Sequence, residues 1–216
     1  MKRFFQLSVV FAFLVLIAAV SFTPISIKPA KPAKRDSIVR LVSETGGTFC
    51  SGVVIDDNTV ITAAHCVIMQ PLPFLPPMVR TGITLRNDDN IDLKTPVLTI
   101  RAWPQMDTAV LTGDFREFQH ADYSGDVSYL LSVAHTGQKF KACGFPLGGK
   151  LYCSDLVFKG IRIFAWGAKG VLIPGMSGGP VFVCDYLGKC TVVAVNTAMN
   201  EDEAIVSPIY NIRGME

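Results

Sequence analysis

From Ile38 onward the chain alternates short apolar, β-branched runs with breaks rich in Gly, Pro, Asn and Asp. Ile38 to Val42 is a predicted strand. Phe49 to Ile55 and Val60 to Ala64 flank Asp56-Asp57-Asn58, a strong turn signal. Gln70 to Pro77 is proline-rich and predicts a loop. Ile83 to Leu85, Val97 to Ala102 and Thr108 to Thr112 follow as strands. Lys139 to Cys143, Leu151 to Phe158 and Ile161 to Trp166 come next. Pro180 to Cys184 and Thr191 to Thr197 flank a turn over Asp185 to Lys189 containing Gly188, and Ala204 to Tyr210 closes the set. No segment in this region keeps a helical period over three turns. Many short strands with turn residues between them predict an all-β barrel or sandwich.

The first residues read differently. Met1-Lys2-Arg3 precedes an apolar run from Phe4 to Val20, broken only by Gln6 and Ser8. A basic start, an apolar stretch and small residues at Ala19 and Ser21 describe a secretory signal. The run also approaches the length of an uncleaved membrane anchor. Residues 1–21 are therefore expected to be a signal peptide or anchor. Residues 22–37, with Pro24, Pro29 and Pro32 among lysines and alanines, are expected to be an extended linker. Residues 38–216 are expected to be the folded domain.

Charge narrows the function. The full chain has net charge +2, but Lys2, Arg3, Lys28, Lys31, Lys34 and Arg35 all precede Asp36. The remainder is acidic, which excludes a basic nucleic-acid footprint. The basic linker suits a solvated tether. Six cysteines, Cys50, Cys66, Cys143, Cys153, Cys184 and Cys190, contain no Cys-x-x-Cys pair, and the three histidines are scattered. That pattern predicts disulfides in an oxidising compartment, with no metal and no cofactor. Pairing neighbours in sequence gives Cys50–Cys66, Cys143–Cys153 and Cys184–Cys190, each bracketing a hairpin or tight excursion.

Three segments carry candidate chemistry. In Gly175-Met176-Ser177-Gly178-Gly179-Pro180, glycines around a serine let the backbone bend so that amide N–H groups converge on one point. A serine nucleophile needs such donors and a neighbouring base. Thr62-Ala63-Ala64-His65-Cys66 places a histidine directly after an apolar strand, in a loop that Cys66 can pin. Met106-Asp107-Thr108-Ala109-Val110-Leu111 brings a carboxylate to the start of a buried strand, where it needs a partner such as an imidazole N–H. Asp92 and Asp114 are weaker competitors for that role. His120 and His135 read as surface residues, Trp103 and Trp166 as core or rim, and Met69, Met78 and Met106 as packing.

Together these segments, in the order His, Asp, Ser, resemble the chymotrypsin-like (trypsin-like) serine peptidases over roughly Ile38 to Ile209. The resemblance implies two six-stranded antiparallel β-barrels with the active site in the cleft between them. It implies a serine endopeptidase acting on protein or peptide, with His65, Asp107 and Ser177 as triad and the Gly175 and Ser177 amides as oxyanion hole. It places substrate binding near Val171, Ile173, Asn196, Thr197 and Ala198. Val171 stands six before the serine, where trypsin-like enzymes carry an aspartate, so apolar or small side chains are the expected preference. Gly144-Phe145-Pro146-Leu147-Gly148, Val193 to Ala198 and Ala204 to Ile209 look closer to the HtrA/Deg-like bacterial branch. Met176 replaces the aspartate that pairs with a freed N-terminus in digestive members, and no Ile-Val-Gly-Gly start exists. With 39 residues after Ser177, a PDZ domain is not expected within this chain. The competing readings are an inactive, protease-like peptide-binding protein and a tethered structural module.

Overall fold

The computed structural model describes residues 36–70, 74–87, 95–200 and 202–210. The chain divides into Met1–Ala33 and Lys34–Glu216. The signal or anchor segment, most of the linker and Asp92 lie outside the described residues. Among the described residues no helix is long and apolar enough to cross a membrane.

Eight strands occupy the first half of the domain: β1 Ile38–Val42, β2 Thr48–Asp56, β3 Thr59–Thr62, β4 Ile68–Met69, β5 Met78–Val79, β6 Thr84–Arg86, β7 Thr95–Trp103 and β8 Thr108–Gly113. Six of them close into an antiparallel barrel in the order β1-β2-β3-β8-β7-β6, while β4 and β5 pair by themselves. The second half holds β9 Lys139–Gly144, β10 Tyr152–Arg162, β11 Ala165–Lys169, β12 Pro180–Cys184, β13 Cys190–Asn200 and β14 Glu203–Pro208. These close a second barrel in the order β10-β11-β14-β13-β12-β9. The architecture is the chymotrypsin-like one.

The residue pattern explains which faces are buried. Along β9 and β10, Phe140, Ala142, Ser154, Leu156 and Phe158 point inward, and Lys139, Lys141, Asp155 and Lys159 point out. In the second core Phe140 stacks on Trp166 with centroids 5.8 Å apart, and Phe158 meets both rings edge-on. β2 and β3 do not alternate, because both of their faces are covered. Val54 and Val60 belong to the first barrel's core. Val53, Ile55 and Ile61 instead pack with Val192, Val195 and Ile209 of the second half, joining the two barrels through an apolar seam. The connecting segment is stitched to both: Ala121 N donates to Val54 O at 2.9 Å and Ser124 N to Val192 O at 3.0 Å.

Two local expectations change. The sequence predicts a break between Phe158 and Ile161, but β10 runs through to Arg162. Gly160 there absorbs a bulge in the pairing with β11 rather than a turn. The chain reverses at Ile163-Phe164, with Phe164 at φ +61°, so β11 begins only at Ala165. A short helix over Val127–Val133 is the second difference. Its N-cap, Asp126, accepts from Tyr129 N at 2.9 Å, and Leu130 is its buried residue.

The structure joins Cys50 to Cys66, Cys143 to Cys153 and Cys184 to Cys190. The last two lie directly opposite each other across antiparallel strands. Three disulfides suit an extracellular or otherwise oxidising compartment.

Candidate active site

His65 sits where β3 gives way to a single helical turn, Ala64–Val67. Ala63 and Ala64 are buried, and their small side chains let this turn press against the first core. The Cys50–Cys66 disulfide ties it back to β2. Asp107 follows a 3-10 turn over Pro104–Met106 and adopts a left-handed conformation, φ +43° and ψ +43°. Aspartate tolerates that region better than most residues. The bend turns its carboxylate toward the histidine. Asp107 Oδ1 accepts from the His65 backbone N–H at 2.9 Å. His65 Nδ1 lies 2.9 Å from Oδ2 and 3.1 Å from Oδ1. With an ionised carboxylate the proton belongs on Nδ1, which leaves Nε2 as an acceptor. The imidazole is 46% exposed and the carboxylate 20%.

Ser177 lies on the segment entering β12, and glycines fix its approach. A Cβ on Gly178 would stand 2.0 Å from Thr62 Oγ1 and 2.8 Å from Ala63 N. Only glycine lets the serine segment lie against the strand leading to His65, and its φ of +78° favours glycine as well. Ser51 N donates to Ser177 O at 2.8 Å. Cys66 Sγ stands between the two residues, 3.6 Å from Ser177 O and 3.8 Å from His65 Nε2. The structure therefore brings His65 and Asp107 into direct contact and sets the Ser177 backbone beside them. The Ser177 hydroxyl itself donates to Thr197 O at 3.4 Å. The amides of Gly175 and Ser177 have no protein acceptor among the described residues, whereas Met176 N donates to Ile173 O at 3.0 Å and Gly178 N to Asn196 O at 2.7 Å.

The residues expected to bind substrate separate into two groups. Val171 and Ala198 are exposed, and Ile173 and Thr197 are half-buried. Asn196 is fully buried and faces inward. Its Nδ2 donates to Cys143 O at 2.9 Å and Met176 O at 3.1 Å, so its side chain braces the serine segment. Asp114 forms an exposed fork with Arg116, whose guanidinium holds its carboxyl down to about 2. His120 faces Asp57 at 3.1 Å, and His135 is exposed. Cys50, His65 and Cys66 cluster closely enough to suggest a metal site, but both sulfurs are in one disulfide and neither is a thiolate ligand.

Sequence reasoning passed over Ser51, which is fully buried. Besides its backbone bond to Ser177, its Oγ donates to Gly175 O at 2.8 Å and accepts from Phe145 N at 2.9 Å. Its carbonyl accepts from Thr62 Oγ1 at 2.7 Å. The available signal was a hydroxyl inside an otherwise apolar run.

The sequence model of the family described as Trypsin matches residues 24–112, a stretch that includes His65 and Asp107. Trypsin theta of Drosophila erecta is 38% identical over 64 residues, 30% of this chain and 24% of that protein. Trypsin theta of Drosophila melanogaster is 40% identical over 53 residues, 24% of this chain and 20% of that protein. The aligned stretch thus spans about a quarter of the relatives' own length or less. The local matches, which cover less than half of the chain, and the two closed barrels show a likeness to trypsin-like domains.

Proposed function

We propose that this chain is a serine endopeptidase in which Ser177 is the nucleophile, His65 the general base and Asp107 the residue that orients it. The observation that carries the reading is the Asp107 carboxylate gripping both the backbone and the Nδ1 of His65 beside the Ser177 segment. Rotation of the Ser177 hydroxyl away from Thr197 O turns it toward His65 Nε2. His65 then takes its proton as Oγ attacks the scissile carbonyl. The Gly175 and Ser177 amides hold the oxyanion, each worth about 3 kcal/mol by analogy with known donors. Collapse expels the amine with the proton from His65, and water completes hydrolysis of the acyl-enzyme.

Val171, exposed and uncharged, supports a preference for apolar or small side chains over lysine and arginine. Met176, fully buried in the second core, offers no carboxylate to a new N-terminus, so activation by that ion pair has no acceptor. The affinity to the HtrA/Deg-like branch rests on its sequence motifs alone, the matched relatives being Drosophila trypsins. The leader and basic linker support a secreted, periplasmic or membrane-tethered protein facing an oxidising compartment. The inactive, peptide-binding reading draws on one observation, the Ser177 hydroxyl directed at Thr197 O. A panel of peptide substrates decides between them. Cleavage after apolar or small residues, abolished by Ser177→Ala in a folded variant, is the expected result. Full activity in that variant overturns the assignment, and a strong arginine or lysine preference overturns the pocket reading.

A further inference from the structure

The two amides proposed to stabilise the oxyanion belong to peptide units with one further unit between them, and their convergence depends on how these units are turned. A trans peptide is planar, with its C=O and N–H pointing in opposite directions, so an anchored carbonyl fixes the amide behind it. The Pro174 carbonyl accepts from Leu147 N at 2.8 Å, which aims the Gly175 N–H away from the Phe145–Leu147 turn. The Met176 carbonyl, in the unit that carries the Ser177 N–H, is held by Gly179 N at 2.9 Å and by Asn196 Nδ2. The unit between them, Gly175 to Met176, has its carbonyl held by the Ser51 hydroxyl.

We infer that Ser51 is a positioning residue for the oxyanion donors, an assignment that rests on the peptidase reading above. Its hydroxyl links three segments: Phe145 N–H donates to Ser51 Oγ, and Ser51 Oγ–H donates to Gly175 O. The same oxygen therefore seats the 145–148 turn, which aims Gly175 N–H, and fixes the peptide unit that sets the angle between the two amides. Gly175 is the one residue of this path without a side chain to restrain it. A Cβ there would stand 2.6 Å from Phe145 O, and φ is +95°. Glycine is also the residue that most readily turns to another conformation. With the hydroxyl removed, Gly175 O and Phe145 N lose their shared partner, and the amide pair loses its fixed geometry.

The test compares wild type, Ser51→Ala and Ser51→Thr on a peptide substrate, with kcat expressed per active site titrated by a fluorophosphonate. Loss of one oxyanion donor lowers kcat by about 10²–10³ in known enzymes, and misalignment is expected to cost about tenfold or more. The expected pattern is a fall in kcat at nearly constant KM in Ser51→Ala, restored to near wild type in Ser51→Thr, which keeps the hydroxyl. A peptide aldehyde, whose adduct carries the tetrahedral oxygen, should weaken in proportion to kcat/KM. Ser51→Gly supplies the same comparison where the alanine variant is not recovered folded. A kcat per titrated site within twofold of wild type, in either hydroxyl-free variant, overturns the inference. Wild type that neither titrates nor cleaves overturns the peptidase reading itself and is distinguished from the first failure by that control.

Discussion

Replacing Asp107 with asparagine tests the His65 arrangement through the direction of two hydrogen bonds. Asp107 Oδ1 accepts from the His65 backbone N–H at 2.9 Å, and the second oxygen faces Nδ1 at 2.9 Å. A backbone N–H can only donate, so in Asp107→Asn the new amide oxygen must occupy the first position. Its NH2 group then faces Nδ1 and donates to it. The imidazole proton is forced onto Nε2, and the nitrogen turned toward the serine no longer accepts. The side chain keeps its size and its tolerance of the left-handed backbone at φ +43°, so the fold stays intact. The same substitution in a known triad lowers kcat by about 10⁴, which corresponds to about 5.5 kcal/mol of barrier. The assay is kcat on a peptide substrate near neutral pH, with circular dichroism as a check on folding. A folded Asp107→Asn variant within tenfold of wild type would refute the tautomer argument and remove Asp107 from the mechanism.

Other consequences concern stability. Phe164, at the tip of the β10–β11 hairpin, is exposed and left-handed at φ +61°. That conformation costs a residue with Cβ about 1 kcal/mol. Phe164→Asn should raise the thermal midpoint by about 2–4 °C, and an unchanged or lowered midpoint would show that the tip carries no such strain. The Asp126 carboxyl is held below the usual aspartate range by the Ser128 hydroxyl and then by the Tyr129 N–H. Its contribution is complete above the unfolded aspartate value of about 3.9 and is lost as pH falls through the lower folded value. Asp126→Asn, which keeps a capping oxygen, should match wild type in thermal midpoint at neutral pH and lose less on acidification. A constant difference between the two proteins across that range would contradict the cap's titration.

Much of the barrel architecture was readable because its strands carry their burial in their spelling. Lys139 to Ala142 alternates between solvent and core, and Asp56-Asp57-Asn58 marks its hairpin through the Asp56 side chain, which accepts from Asn58 N. The β10–β11 hairpin was misplaced because glycine serves both bulges and turns, and Gly160 alone does not say which. The helix over Val127–Val133 spans too few turns for a period to register. At the site, His65, Asp107 and Ser177 were visible as polar residues in distinctive local settings. The roles of Ser51 and Asn196 were not. Both act through hydrogen bonds to segments distant in the chain, from Ser51 to Gly175 and Phe145 and from Asn196 to Cys143 and Met176. The Ser51 contacts exist only after the two barrels have met, and the Asn196 contacts only after the second barrel has closed.

Activation of the Ser177 hydroxyl by His65 is tested most directly by peptide mapping after reaction with a fluorophosphonate. The phosphonyl group should be found on Ser177 of the wild-type protein, with labelling lost in Ser177→Ala and greatly slowed in a folded His65→Ala variant. Wild-type protein that stays unlabelled, or that labels equally fast without the imidazole, would contradict the account.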